Sequence, residues 1–244
     1  EQLTGLTLAI DGAGNAPAEV LTVQVAAGNS TTNLAALTLG TGTTLAATSI
    51  VGTGDNDTIV GTGGVDTIAG AAGNDTITPG AGSDVITLGA GTNIINFSGS
   101  DATSGETISD LNSGGGTNTF NIVTTENFDG DIAPNSASAG TVLTGLNKIS
   151  IAAGQGATFA GEQLTGLTLA IDGAGNAPAE VLTVQVAEGN STTNLAALTL
   201  GTGATLAATS IVGTGDNDTI VATGGVDTIA GAAGNDTITP GAGS

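Results

Sequence analysis

From Gly52 to Asn96 the chain reads GTGDNDTIV GTGGVDTIA GAAGNDTIT PGAGSDVIT LGAGTNIIN, five blocks of nine residues. Isoleucine returns at the eighth position of every block, as Ile59, Ile68, Ile77, Ile86 and Ile95. A helix repeats near 3.6 residues and a strand at 2, so neither alone produces this spacing. A six-residue turn followed by a three-residue strand does. Glycine crowds the first four positions, where tight turns and close backbone approach require it. The isoleucine then points inward and stacks on its counterparts. Two blocks make one 18-residue coil (turn, strand, turn, strand), with neighbouring coils about 4.8 Å apart.

Strand-like runs flank the blocks. Residues 1–51 carry LTLAI, VLTVQV and LAALTL between Gly/Asn/Ser turns, and residues 97–161 carry ETISDL, NTFNIV and NKISIA. Alternating apolar and polar positions between turn residues are the β signature, and no helical period of useful length occurs. Residues 1–83 return as residues 162–244, identical except for Ala27/Glu188, Thr43/Ala204 and Gly61/Ala222. The expected organisation is β-solenoid strands over 1–51, a nonad β-roll over 52–96 and a β-rich acidic segment over 97–161 closing a 161-residue unit. Strands over 162–212 and nonads over 213–244 then begin a second unit, as in a window on a longer tandem array. The fold class is all-β, a parallel β-solenoid.

Composition narrows the chemistry. Of 244 residues 42 are glycine and four are aromatic, all Phe, which suits thin regular layers better than one thick core. Twenty-two Asp and Glu face a single basic residue, Lys148, for a net charge of −21. Such a surface repels phosphates and anionic headgroups, so neither nucleic acid nor membrane insertion is expected, and it attracts cations. No run approaches the ~20 apolar residues of a membrane span, and Glu1 opens mid-pattern rather than on a signal peptide. Without Cys or His there are no disulfides, thiolate sites or imidazole ligands, and no base to activate a Ser or Thr. G-x-G-x-x-G fragments occur without the strand-then-helix setting that phosphate binding needs. No catalysis is expected.

The sixth position of the blocks holds Asp57, Asp66, Asp75, Asp84 and Asn93, and in the second copy Asp218, Asp227 and Asp236. An 18-residue coil sets Asp57 over Asp75, Asp66 over Asp84 and Asp75 over Asn93. Carboxylates ~5 Å apart repel by about 1 kcal/mol in water and by more in a partly buried turn. Stacked carboxylates beside glycine-exposed carbonyls form an all-oxygen cage, the ligand set of a hard cation such as Ca2+. Mg2+ demands tighter octahedral geometry, and soft metals find no ligands here.

These blocks resemble the RTX, or hemolysin-type, calcium-binding nonapeptide repeats, with GTGGVDTIA (61–69) and GAAGNDTIT (70–78) the best fits. The resemblance implies a right-handed parallel β-roll with Ca2+ in its turns, type I secretion and folding triggered by external calcium. It also implies Asp57 with Asp75, Asp66 with Asp84 and Asp218 with Asp236 as ligand pairs, and Asn93 as the weakest position. Asp55 and Asp216 stand where the pattern has glycine and are expected to strain the first turn, while Pro79, Leu88 and Ala222 replace first-position glycines. Asp101, Glu106, Asp110, Glu126, Asp129 and Asp131 are read first as a solvated acidic loop, with NFDGDI a second oxygen site as the alternative. The expected function is an extracellular structural repeat protein of the bacterial surface-layer or adhesin kind. It folds on Ca2+, self-associates end to end or laterally, and has cell-surface polysaccharide as a further partner class. The alternative is the secretion and folding region of a toxin, protease or lipase whose catalytic module lies outside this sequence.

Overall fold

The computed structural model describes residues 8–10, 19–28, 30–35, 37–39, 45–99, 101, 106–109, 111, 115–128, 143–173, 179–189, 191–201 and 206–243. Among them every strand pairing is parallel, which follows from a chain that climbs one coil per turn and returns to the same face. One sheet gathers eight strands in chain order: Thr31–Asn33, Thr58–Val60, Thr76–Thr78, Ile94–Phe97, Asn118–Ile122, Leu146–Ile151, Ala170–Gly173 and Thr199–Leu200. A second stacks Glu19–Gln24, Leu45–Val51, Asp66–Ala69, Val85–Thr87 and Thr107–Ser109. A third resumes with Glu126–Asn127, Gly156–Ala160, Glu180–Gln185, Leu206–Val212 and Asp227–Ala230. Thr192–Asn194, Thr219–Val221 and Thr237–Thr239 form a fourth, and Leu8–Ile10 with Leu37–Leu39 a two-stranded fifth.

In the nonads the register step is one 18-residue coil: Ile59 pairs with Ile77, Ile77 with Ile95, and Ile68 with Ile86. All five isoleucines are buried, forming two inward columns as the eighth-position pattern predicts. Beyond the nonads the coils lengthen. Ile95 sits opposite Phe120, Phe120 opposite Ile149, and Ile149 opposite Ile171. A longer coil encloses more volume than two isoleucine columns fill, and phenylalanines take it up. Phe97 meets Phe120 and Phe128 edge-on at 5.2 and 5.0 Å, and Phe128 stacks on Phe159 at 4.6 Å; all four rings are fully buried.

One element has no sequence signal. Gly161–Leu164 forms a single helical turn where the first copy gives way to the second. Gln163 holds it: its Oε1 accepts from Ala160 N at 2.7 Å and its Nε2 donates to the Phe128 carbonyl at 2.9 Å. The turn lies on the free edge of Thr192–Asn194, with Gly166 N donating to Asn194 O and Asn194 N donating to Thr165 Oγ1, both at 3.1 Å. It therefore covers the strand that opens a new sheet, an edge that would otherwise offer unpaired groups.

Ile77 is fully buried between Ile59 and Ile95. Ile77→Ala is expected to cost about 2–5 kcal/mol, read as a lowered urea midpoint in calcium-saturated buffer.

Candidate metal centre

Each block turns over its first residues, and its sixth stands directly before the strand, or in the second block opens it. The turns fall on two edges of the roll, one carrying Asp57, Asp75 and Asn93 and the other Asp66 and Asp84. Each side chain accepts the backbone N–H of the rung before it. Asp57 N donates to Asp75 Oδ1 at 2.9 Å, Asp75 N to Asn93 Oδ1 at 2.8 Å, and Asp66 N to Asp84 Oδ1 at 2.8 Å. The second copy repeats the first contact, Asp218 N to Asp236 Oδ1, at 3.0 Å. The ladder outlasts the nonads, because Asn93 N donates to Asn118 Oδ1 and Asn118 N to Asn147 Oδ1 at 2.9 and 2.8 Å. An outer ladder runs the opposite way, from Asn74 N to Asn56 Oδ1 and from Thr92 N to Asn74 Oδ1. Coils come this close only with glycine between them. At Gly73, φ +117°, a Cβ would overlap the Asp55 carbonyl of the neighbouring turn.

The stacked carboxylates are buried: Asp57, Asp66, Asp75, Asp84 and Asp218 are each at most 1% exposed, and Asn93 is fully buried. Asp227 and Asp236 are half-buried. The ion pair between Lys148 and Asp172, at 2.6 Å, lies outside the nonads. Burial pushes the Asp75 carboxyl up to about 6, against the Asp57 N–H that lowers it and with the Asp57 charge adding to the rise. Burial likewise pushes Asp84 up to about 8, opposed by the Asp66 N–H and reinforced by the charges of Asp66, Glu106 and Asp101. Asp66 and Asp227 are raised by burial too. Among the described rungs of the nonads, Asp75 Oδ2 and Asp84 Oδ2 are buried with no hydrogen-bond donor; Asp218 Oδ1 and Asp227 Oδ2 also lack one, but each has a serine or threonine of the preceding coil on its rung. Orphaned anionic oxygens beside backbone carbonyls fit a hard, oxygen-seeking cation. Among the described residues no three acidic groups converge on one point. An ion held here would therefore draw most of its ligands from backbone carbonyls and water.

The family model of the RTX calcium-binding nonapeptide repeat matches residues 51–86, 79–101 and 212–244. The chain carries RTX calcium-binding repeats. No curated protein and no solved structure matches it.

Within the RTX repeats the structure brings together the rungs that the sequence pairs, Asp57 with Asp75, Asp66 with Asp84, Asp75 with Asn93 and Asp218 with Asp236. Asp227 has no following rung in this sequence. The strain expected at Asp55 and Asp216 is absent, since neither takes a left-handed φ. Instead Asp55 Oδ2 accepts from Gly28 N at 2.8 Å and Asp216 Oδ2 from Gly189 N at 2.9 Å, each pinning the turn before the first nonad. The solvated-loop reading of the third zone is overturned for Asp101, Glu106 and Glu126, which are buried. Glu106 precedes Thr107, whose pairing with Val85 places it on the Asp84 column. Asp110, Asp129 and Asp131, with most of NFDGDI, lie outside the described residues. Sequence reasoning missed Thr53 and Thr62, although threonine at the second position of only the first two blocks was there to be read.

A carboxyl protonated in the fold but ionised in the unfolded chain stabilises the fold below the unfolded pKa, and that contribution is lost as pH rises through the folded value. In chelator, the melting temperature is therefore expected to fall as pH climbs from about 4 through the Asp75 and Asp84 values of about 6 and about 8. Saturating calcium should flatten this fall, because it favours the ionised forms; melts recorded with and without the metal check both. Gly73→Ala, which puts a methyl against the Asp55 carbonyl at a left-handed φ, is expected to lower the calcium-saturated melting temperature. The same substitution at Gly54, open to solvent at ordinary φ, should leave it near wild type.

Proposed function

We propose that this chain is a length of calcium-stabilised extracellular scaffold, the repeating body of a surface layer, adhesin stalk or filament. The supporting observation is the sheet that runs from Thr31–Asn33 to Thr199–Leu200. It crosses from the first copy into the second through the pairing of Lys148–Ile151 with Ala170–Gly173. Successive units thus share one stack rather than hang from a linker, and eight strands at about 4.8 Å rise about 34 Å along the axis. Near-identical units stacked in one dimension suit a rod whose length scales with copy number. External calcium neutralises the turns of a chain of charge −21, so export into calcium and folding become one event. RTX repeats are typical of proteins exported by type I secretion, which agrees with this location. No helix among the described residues is long and apolar enough to cross a membrane.

Small-angle scattering tests the reading. In calcium the chain should give the profile of a rod, and chains with added 161-residue units should lengthen by equal steps. In chelator the rod should give way to an expanded coil as pH rises through about 8, where the buried carboxylates ionise. A compact profile insensitive to both calcium and unit number would overturn it. Electron microscopy in calcium should show end-to-end or lateral assemblies, and dispersed single particles alone would remove the self-association.

A further inference from the structure

The nine-residue blocks share an aspartate but not a turn. In the first coil Thr53 occupies the second position, and both its N–H and its Oγ1 donate to Asp57 Oδ2, at 2.8 and 2.9 Å. Thr62 does the same for Asp66 Oδ2 at 2.7 and 3.0 Å. The coil before adds more hydroxyls. Ser30 N and Oγ reach Asp57 Oδ1 at 3.3 Å, and the buried Thr48 hydroxyl stands on the rung paired with Asp66. In the second copy Thr214 N and Oγ1 close on Asp218 Oδ2 at 2.9 and 3.0 Å, and Thr223 Oγ1 donates to Asp227 at 2.8 Å. The one orphaned oxygen of each lies on a rung supplied with Ser191 and Thr209, the counterparts of Ser30 and Thr48.

The second coil has no such hydroxyl. Its second positions are Ala71 and Gly80, at left-handed φ of 76° and 88°, with Gly73 and Gly82 left-handed two residues on. Ala232 and Gly234 repeat the geometry at 68° and 118°. Threonine is β-branched and disfavours that region, so it selects the other turn. In the left-handed turns Asp75 Oδ2 and Asp84 Oδ2 stay buried without a donor. The next turn is closed again, by an amide: Asn93 Nδ2 donates to the Gly89 carbonyl at 3.4 Å, occupying an oxygen that a cation could use.

We propose that in each block whose sixth residue is aspartate the second residue decides whether the turn takes calcium: threonine closes the turn on its own aspartate, whereas glycine or alanine leaves an oxygen for the ion. Calcium then belongs to the turns of Asp75 and Asp84, and of Asp236 in the second copy, while Asp57, Asp66, Asp218 and Asp227 sit in a coil that closes without metal. This rests on the calcium-binding reading above and narrows it to particular rungs.

Equilibrium dialysis of the whole chain against radioactive calcium, after stripping with chelator, counts the ions directly. Asp75→Asn and Asp84→Asn are each expected to lose bound calcium, and Asp57→Asn to keep the wild-type count. Thr62→Gly, which removes the hydroxyl and permits the left-handed turn, should add an ion; Thr62→Ser, which keeps the hydroxyl, should not. Circular dichroism in calcium confirms folding of each variant. If Asp75→Asn does not fold, the gain in Thr62→Gly still decides the matter. A loss in folded Asp57→Asn equal to that in Asp75→Asn, or no gain in folded Thr62→Gly, overturns the assignment of rungs. A wild-type chain that binds no calcium overturns the calcium reading itself, and this one with it.

Discussion

Like charges stacked at the spacing of a β-ladder govern this molecule. Parallel coils can approach to hydrogen-bonding distance only if their turns do too, and the turns carry carboxylates at the same height in every coil. Asp57, Asp75, Asp66 and Asp84 are removed from water with no basic side chain of this sequence beside them. The backbone answers part of the problem, since each rung's N–H is given to the next carboxylate. One oxygen per rung remains, and the solenoid disposes of it in more than one way. A threonine hydroxyl takes it, an asparagine replaces the charge altogether, or it is left facing its neighbours.

That variety follows the geometry of the coils. Where two glycine turns and two isoleucines make a minimal coil, the acidic residues crowd together. Where the coil widens around Phe97, Phe120, Phe128 and Phe159, the inner ladder is carried by Asn93, Asn118 and Asn147, which keep the hydrogen bonds without the repulsion. The aromatic core and the amide ladder coincide along the chain. Ring burial and neutral hydrogen bonds stabilise this ladder without stacked charge, although Asp101, Glu106 and Glu126 are buried in the same stretch.

Legibility from the sequence tracked how local each feature is. The isoleucine columns, the 18-residue register and the stacking of Asp57 on Asp75 follow from a fixed period, and period is what a sequence displays directly. The burial of Asp101, Glu106 and Glu126 did not show, because it depends on which coil covers that segment and the coils there have unequal lengths. The helical turn at Gly161–Leu164 is too short to leave a periodic trace, and only the chain's need to cover a new strand edge explains it. Asp55 was misread for a related reason. A carboxylate in a glycine position looks like strain until the turn of the preceding coil, with Gly28 N offered to it, is in place.

The sheets of this solenoid begin and end at different heights. The second sheet stops at Thr107–Ser109 and the third starts at Glu126–Asn127, at a level where the long sheet passes unbroken from Ile94–Phe97 to Asn118–Ile122. The long sheet in turn stops at Thr199–Leu200, after Thr192–Asn194 has already opened the fourth. The joints are staggered like courses of brick. Among the described residues no seam is shared by every face, so a pull along the axis that opens one ladder still meets an intact ladder beside it.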